Sequence, residues 1–186
     1  DRGAILFRWA ALVEAHEEAL AALIALENGK PWKEALVEVR YANSFISWFA
    51  GLAGRLDGRT IESPKDEDLI LSFREPVGPV AAITPWNFPI AIPAWKIAPA
   101  LCYGNAVVLK PAELVPGCAH ALVEILSRAG LPDGVVNLVM GRGSEIGPRL
   151  VESPKVDAIS FTGSVPTGRG IAESCGRHLK KLQLEM

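Results

Sequence analysis

The sequence predicts an α/β fold: a Rossmann-like parallel sheet with helices on both faces, preceded by two helices and an extended β ribbon. Two observations carry most of that expectation. From Pro79 onward, apolar runs rich in valine and isoleucine recur at 79–84, 105–109, 135–140, 157–162 and 180–185. Segments with helical spacing separate them, at 90–103, 116–129, 144–152 and 165–177. Buried strands that alternate with helices form parallel sheets, because a long crossover must return the chain in the same direction. A third observation sets the order of parts: the residues ahead of Pro79 are helical in period first and ribbon-like afterwards.

In chain order, the first helix is expected over residues 4–27, where Leu6, Trp9, Leu12, Val13, Leu20, Leu23 and Ile24 recur three, four and seven apart. Asn28-Gly29 supplies its stop and Pro31 follows. His16 reads as a surface or packed histidine. A second helix runs from about Trp32 to about Leu52, with Val39, Ala42, Ile46 and Phe49 on one face. Residues 55–59 are turn-like, Leu69–Phe73 reads as a strand, and Glu75-Pro76-Val77-Gly78-Pro79 breaks the run. This ribbon needs a partner edge, from elsewhere in a longer chain or from another subunit. Pro116 fits a first helical turn, and Gly130 ends that helix ahead of Pro132. The expected division is 1–57 N-terminal helices, 58–78 ribbon and 79–186 Rossmann-like domain.

Composition narrows the function classes. Hydrophobic residues make up 49% and charged residues 22% of the 186, with a net charge of −2. That balance argues against a polybasic nucleic-acid face and against a disordered acidic tail. Ala91–Leu101 is too short to span a bilayer, and Lys96 interrupts it. Cys102, Cys118 and Cys175 form no CxxC, so reduced cytoplasmic thiols are expected, and no cluster has metal-ligand spacing. No signal-peptide pattern opens the chain. Asp1 is not an initiator Met, and Met186 stops just after a strand pattern, so the chain reads as a piece of something longer.

The argument for function is positional. In a parallel sheet, the carboxyl ends of all strands lie along one edge, where ligands bind. The first strand ends in the stretch TPWNFP at 84–89, where two prolines stiffen a turn carrying an indole and a primary amide. The second ends at Lys110 with Glu113 three residues on, the third at Gly141-Arg142-Gly143 and then Gly147, the fourth at Phe161-Thr162-Gly163-Ser164, and the fifth at Glu185. Each residue has a plain reading beside its functional one. Lys110 is either a solvated charge or, with Glu113, a donor–acceptor pair suited to the vicinal diol of a ribose. A carboxylate there disfavours a 2′-phosphate, so NAD is favoured over NADP. The glycines are turn residues or room for a pyrophosphate, but their spacing is not GxGxxG. Ser164 is expected to cap the next helix, and that end is also a phosphate site. Asn87 is a turn asparagine or an oxyanion donor. Glu185 is an exposed carboxylate or a base that activates water.

TPWNFP, VVLKPAE, FTGS and the terminal LQLEM, in that order and spacing, resemble the aldehyde dehydrogenase superfamily, and the resemblance runs through essentially the whole chain. It implies oxidation of an aldehyde to a carboxylic acid with NAD or NADP, through a cysteine thiohemiacetal and thioester. It implies that Asn87 holds the oxyanion and Glu185 activates water. It assigns Lys110 and Glu113 to the adenosine ribose, and Trp86, Ser164, Gly143 and Gly147 to the surroundings of the pyrophosphate. Ile83, Thr84 and Gly163 fall beside the cofactor cleft. The family nucleophile lies in a later GQxC-type segment, which none of the three cysteines matches. The chain as given is therefore expected to be inactive and to lack the catalytic domain. The look is closest to succinate-semialdehyde and 2-oxoglutarate-semialdehyde dehydrogenases, with Trp95 and Phe88 either lining an aldehyde tunnel or packing the core. A homodimer or homotetramer is expected of the full-length enzyme, in the cytoplasm, with an aldehyde substrate, no metal, no nucleic acid and no membrane. The competing readings are a non-catalytic nucleotide-binding or structural module, and an acylating enzyme that uses coenzyme A, against which Glu185 argues.

Overall fold

A computed structural model describes residues 1–65 and 67–186. Its centre is a five-stranded parallel sheet in the order β5-β4-β3-β6-β7. The strands are β3 (Val80–Ile83), β4 (Val107–Lys110), β5 (Val136–Leu138), β6 (Ala158–Thr162) and β7 (Lys181–Glu185), each within about two residues of its expected place. The crossover helices are α4 (Ala91–Cys102), α5 (Pro116–Arg128), α6 (Gly143–Glu152) and α7 (Val165–Arg177). The ribbon consists of β1 (Arg59–Ile61) and β2 (Ile70–Ser72), paired antiparallel and exposed throughout. The expected ribbon includes residue 66, which lies outside the described residues.

Strand alternation divides the side chains between two layers. Ala82, Val107 and Leu109 point into a core built with α1 to α5. Ala81, Ile83, Ile159, Phe161, Leu182 and Leu184 point the other way, against α6 and α7. The helices therefore cover both faces, as the near-continuous apolar strands require.

Where one N-terminal helix was expected over 4–27, the chain forms two, α1 (Arg2–Ala15) and α2 (Glu17–Asn28). The break is at His16, whose backbone sits at φ −110°, ψ 16°. Its Nδ1 lies 2.8 Å from the Leu12 carbonyl, and its backbone N–H is shared between Leu12 and Val13. A side chain that bonds its own preceding turn competes with the helical ladder. The apolar period continues across a one-residue bend, which is why the sequence does not reveal it. The next helix, α3 (Trp32–Leu52), matches its expected limits.

Charges at helix ends fasten α1–α3 to the rest. Glu27 accepts the Gly117 and Cys118 N–H groups at 2.8 Å each, and Glu38 accepts those of Ile90 (2.9 Å) and Ala91 (3.2 Å). At the opposite ends, Arg2 donates to the Cys102 carbonyl (3.1 Å) and Arg8 to that of Ala129 (2.7 Å). Carboxylates thus meet the N-termini of α4 and α5, and guanidinium groups meet their C-termini. Both satisfy groups the helices cannot pair internally, with the charge that the helix dipole favours.

Candidate functional site

The strand order reverses at β3, which lies between β4 and β6. A crevice at such a switch point is where open α/β sheets bind ligands. The register brings the strand ends together: Ile83 is level with Lys110 on one side and Phe161 on the other, and Thr162 is level with Glu185. The Thr84 N–H also donates to the Lys110 carbonyl at 3.1 Å. The TPWNFP and KPAE turns are therefore neighbours on one edge.

On the α6–α7 face, a slot of about 580 Å³ opens beside this edge. Ile83, Val151, Phe161, Pro166 and Ile171 form apolar walls, and Gly143, Gly147 and Gly170 line it without side chains. A Cβ at Gly147 or Gly170 would meet no other atom within 4 Å, so that space is left open rather than filled by neighbours. Ser174 lines the slot with a buried hydroxyl that has no hydrogen-bond partner among the described residues.

Next to Gly143, Lys110 is 3% exposed and its Nζ lies 3.3 Å from Glu113 Oε2. The same carboxylate oxygen accepts the Gly143 N–H at 3.2 Å, at the first residue of α6. Hydrogen bonds from its own backbone N–H, from Lys110 and from Gly143 hold the Glu113 carboxyl below its ordinary range. Gly143 opens α6 and Gly147 falls one turn later. Gly163 must be glycine for a steric reason, since a Cβ would stand 2.6 Å from the Phe161 ring. Ser164 occupies the N-cap position of α7 as expected, but its hydroxyl pairs with Thr167 Oγ1 at 2.9 Å rather than with a backbone N–H.

The opposite face carries a second group. Ser160, Thr162, Gln183 and Glu185 alternate onto the α4 side. Lys96, from the middle of α4, donates to Ser160 (2.9 Å) and Gln183 (3.2 Å). Burial pushes its ammonium down to about 8, partly offset by attraction to Glu185. Glu185 accepts from Thr162 Oγ1 at 3.1 Å. Asn87 and Trp86 are exposed on the turn after β3, while Thr84 is buried with no partner for its hydroxyl among the described residues. The strands that lead to Asn87 and to Glu185, β3 and β7, are separated by β6, so their ends stand about 10 Å apart along the edge.

Sequence reasoning missed Lys96, which it treated only as an interruption of an apolar run. A lone lysine among Ile92, Ala94, Ile97 and Ala98 was itself the signal, since such a position is buried and must be paired. It also missed Glu38, which lies on the buried stripe of α3 between Ala35 and Ala42. Trp95 stacks edge-on with Tyr41 and tilted against Phe45, at 6.0 and 5.5 Å, whereas Phe88 is 40% exposed. The three cysteines are all buried, with thiols pushed up by burial. Among the described residues, no helix is long and apolar enough to cross a membrane, and no three His, Cys, Asp or Glu side chains gather as a metal site.

Comparison with known proteins gives a consistent picture. The family model described as "Aldehyde dehydrogenase family" matches residues 1–186. The chain is 43% identical over its whole length to 2,5-dioxopentanoate dehydrogenase of Saccharolobus solfataricus. It is 44% identical to an NADP(+) succinate-semialdehyde dehydrogenase of Escherichia coli. It spans 39% of the length of each of these relatives. Among solved structures, a point mutant of betaine aldehyde dehydrogenase from Staphylococcus aureus in complex with NAD+ superposes with a TM-score of 0.97 at 37% identity. That match covers 100% of this chain and 37% of the other.

Proposed function

This chain belongs to the aldehyde dehydrogenase family, and on that premise we propose that residues 1–186 form the dinucleotide-binding part of an NAD(P)-dependent enzyme. The complete enzyme oxidises an aldehyde of the semialdehyde class to its carboxylic acid. The relatives named for dioxopentanoate and succinate semialdehyde support that substrate class. The observation that carries the cofactor reading is the glycine-lined slot between α6 and α7, whose Gly143 N–H is held by Glu113 beside Lys110.

The residues present fit a dinucleotide. The slot has apolar walls suited to a flat aromatic base, and the Ser174 hydroxyl offers it one hydrogen bond. Lys110 and Glu113 offer a donor and an acceptor to a ribose diol. The N-terminus of α6 and the paired hydroxyls of Ser164 and Thr167 favour the pyrophosphate. The slot and the Glu185 carboxylate lie on opposite faces of the sheet, so a ligand that serves both must cross its edge near β6. A dinucleotide is long enough to do that, whereas a mononucleotide would stay on one face. When bound, the cofactor accepts a hydride from the substrate carbon.

The other steps belong to this chain and to a nucleophile beyond it. Cys102, Cys118 and Cys175 are buried, and raised pKa values keep their thiols protonated, so none is suited to attack a carbonyl. The Asn87 carboxamide donates to the oxygen that becomes negative when a thiolate adds to the aldehyde. The Glu185 carboxylate takes a proton from the water that releases the acid from the thioester. Trp86 and Thr84 shape the crossing point, and Gly163 lets the chain pass beneath Phe161.

The test is cofactor binding to the complete enzyme with Gly147→Val, which fills open space in the slot. The Kd for NADH, followed by its fluorescence, is expected to rise about tenfold or more, because a bulky group displaces bound ligand from an apolar site. An unchanged Kd in a variant that melts like the wild type would remove the slot from the cofactor site.

A further inference from the structure

The turn that presents Asn87 is gripped from below by residues that no step above uses. At the junction of α2 and α3 lies Asn28-Gly29-Lys30-Pro31, in which Asn28 ends α2 and Gly29 adopts φ +76°. That left-handed residue turns Lys30 out of the helix line toward the β3–α4 turn. Asn28 Nδ2 donates to the Trp86 carbonyl at 2.7 Å, and Lys30 Nζ donates to the Asn87 carbonyl at 2.9 Å. The same ammonium stands 4.0 Å from the centroid of the Phe88 ring and 2.5 Å from Glu38 Oε2. Glu38 in turn holds the Ile90 and Ala91 N–H groups.

The division of labour along this turn is complete. Pro85 and Pro89 have φ fixed by their rings. The three residues between them, Trp86, Asn87 and Phe88, have no ring to fix their own φ, although Pro89 narrows Phe88, and these are the three that Asn28 and Lys30 hold. The three ammonium protons face a carboxylate, a carbonyl and an aromatic ring, so its donors are fully engaged. Lys30 is 11% exposed at its side chain and Glu38 is 1% exposed. A buried ion pair contributes little net stability, because desolvation offsets the attraction, and an apolar pair of similar volume would serve as well. Its use here is geometric: an ammonium fixes a carbonyl at one distance and direction, which an aliphatic contact does not.

We propose that the Lys30–Glu38 pair, with Asn28, is the positioning device that aims the Asn87 carboxamide at the developing oxyanion. This inference rests on the reading of Asn87 as oxyanion donor. Lys30 and Glu38 touch neither substrate nor cofactor in this account and act only through the 86–91 backbone. A donor displaced by about 1 Å loses much of its effect on the transition state while leaving ground-state binding nearly intact.

The experiment uses the complete enzyme and the single-turnover rate of reduced-cofactor formation. The double variant Lys30→Met/Glu38→Gln removes the ammonium without stranding a buried carboxylate, and the glutamine oxygen still accepts the Ile90 N–H. Its rate is expected to fall about tenfold or more, with the NADH Kd unchanged within about twofold. The decisive comparison is a cycle with Asn87→Ala. If the pair acts through Asn87, the double variant costs nothing further once Asn87 is alanine. An equal loss in both backgrounds would assign the pair a general structural role and overturn the inference. So would an unchanged rate in a folded double variant. Failure of the oxyanion reading has a different signature, namely Asn87→Ala alone leaving the rate intact, and the inference falls with it. Should the double variant not fold, Asn28→Ala at the exposed rim gives the same test, with an expected fall of about threefold that likewise vanishes beside Asn87→Ala.

Discussion

Glu113→Ser asks whether the Lys110–Glu113 pair chooses between NAD and NADP, and the structure sets the size of the answer. In the chain alone, the substitution removes two contacts, to Lys110 Nζ at 3.3 Å and to the Gly143 N–H at 3.2 Å. The Glu113 side chain is 51% exposed, so the pair itself contributes close to nothing after screening. A carboxylate at an exposed helix N-terminus adds about 0.3–1 kcal/mol. The fold should therefore melt within a few degrees of the wild type. A 2′-phosphate is different. Placed about 5 Å from the carboxylate, its nearly two charges meet a repulsion of about 1–2 kcal/mol even at the dielectric of water, which is about 5- to 30-fold in affinity. The ratio of kcat/KM for NADP to that for NAD, measured on the complete enzyme, should rise by that factor. It should rise less at high salt. The carboxyl lies below its ordinary value of 4.5, so the charge is present throughout the neutral range. The small stability contribution is complete above the ordinary value and lost as pH falls through the lowered one. A ratio that does not move, in a variant that melts normally, would refute the ribose assignment.

Two further outcomes are expected. Asn87→Ala should lower kcat by about 10²-fold, as loss of one preorganised oxyanion donor does, with the cofactor Kd unchanged; steady-state kinetics beside NADH titration checks both. Lys96 has its pKa lowered to about 8 by burial, against an ordinary 10.5. Between those values the unfolded chain binds a proton that the folded chain does not, so this residue makes stability rise with pH across that window. Lys96→Met should remove that rise, so the stability of the variant minus that of the wild type should fall steadily from pH 7 to pH 10, as melting curves of both at pH 7, 8, 9 and 10 would detect; a difference independent of pH would contradict the assignment.

The sheet was legible because its signals are local and repeated. Each strand is a short apolar run closed by a turn, and the turn residues after β3, β4 and β6 announce their chemistry by type. Residues that act across long sequence separations were not legible in the same way. Glu38 looks like any helix carboxylate until α4 is brought against it, 52 residues away. The bend at His16 leaves the apolar period intact. Ser174 is a small polar residue in a helix, and only the slot beside it gives its hydroxyl a meaning. Ser164 was placed correctly at the start of α7, yet its bond to Thr167 depends on a rotamer that the pattern of residues does not encode.

The charges at the ends of α4 and α5 work together as a caliper. Glu27 and Arg8 touch the two ends of α5, and Glu38 and Arg2 touch those of α4, so α1–α3 measure the length of two helices at once. An added residue would advance a helix by about 1.5 Å and turn it by about 100°, and one jaw would then miss its mark. Neither helix can lengthen or shorten by a single residue without losing a clamp. The distance from the sheet's edge to the far ends of α4 and α5 is thereby held to a fixed gauge.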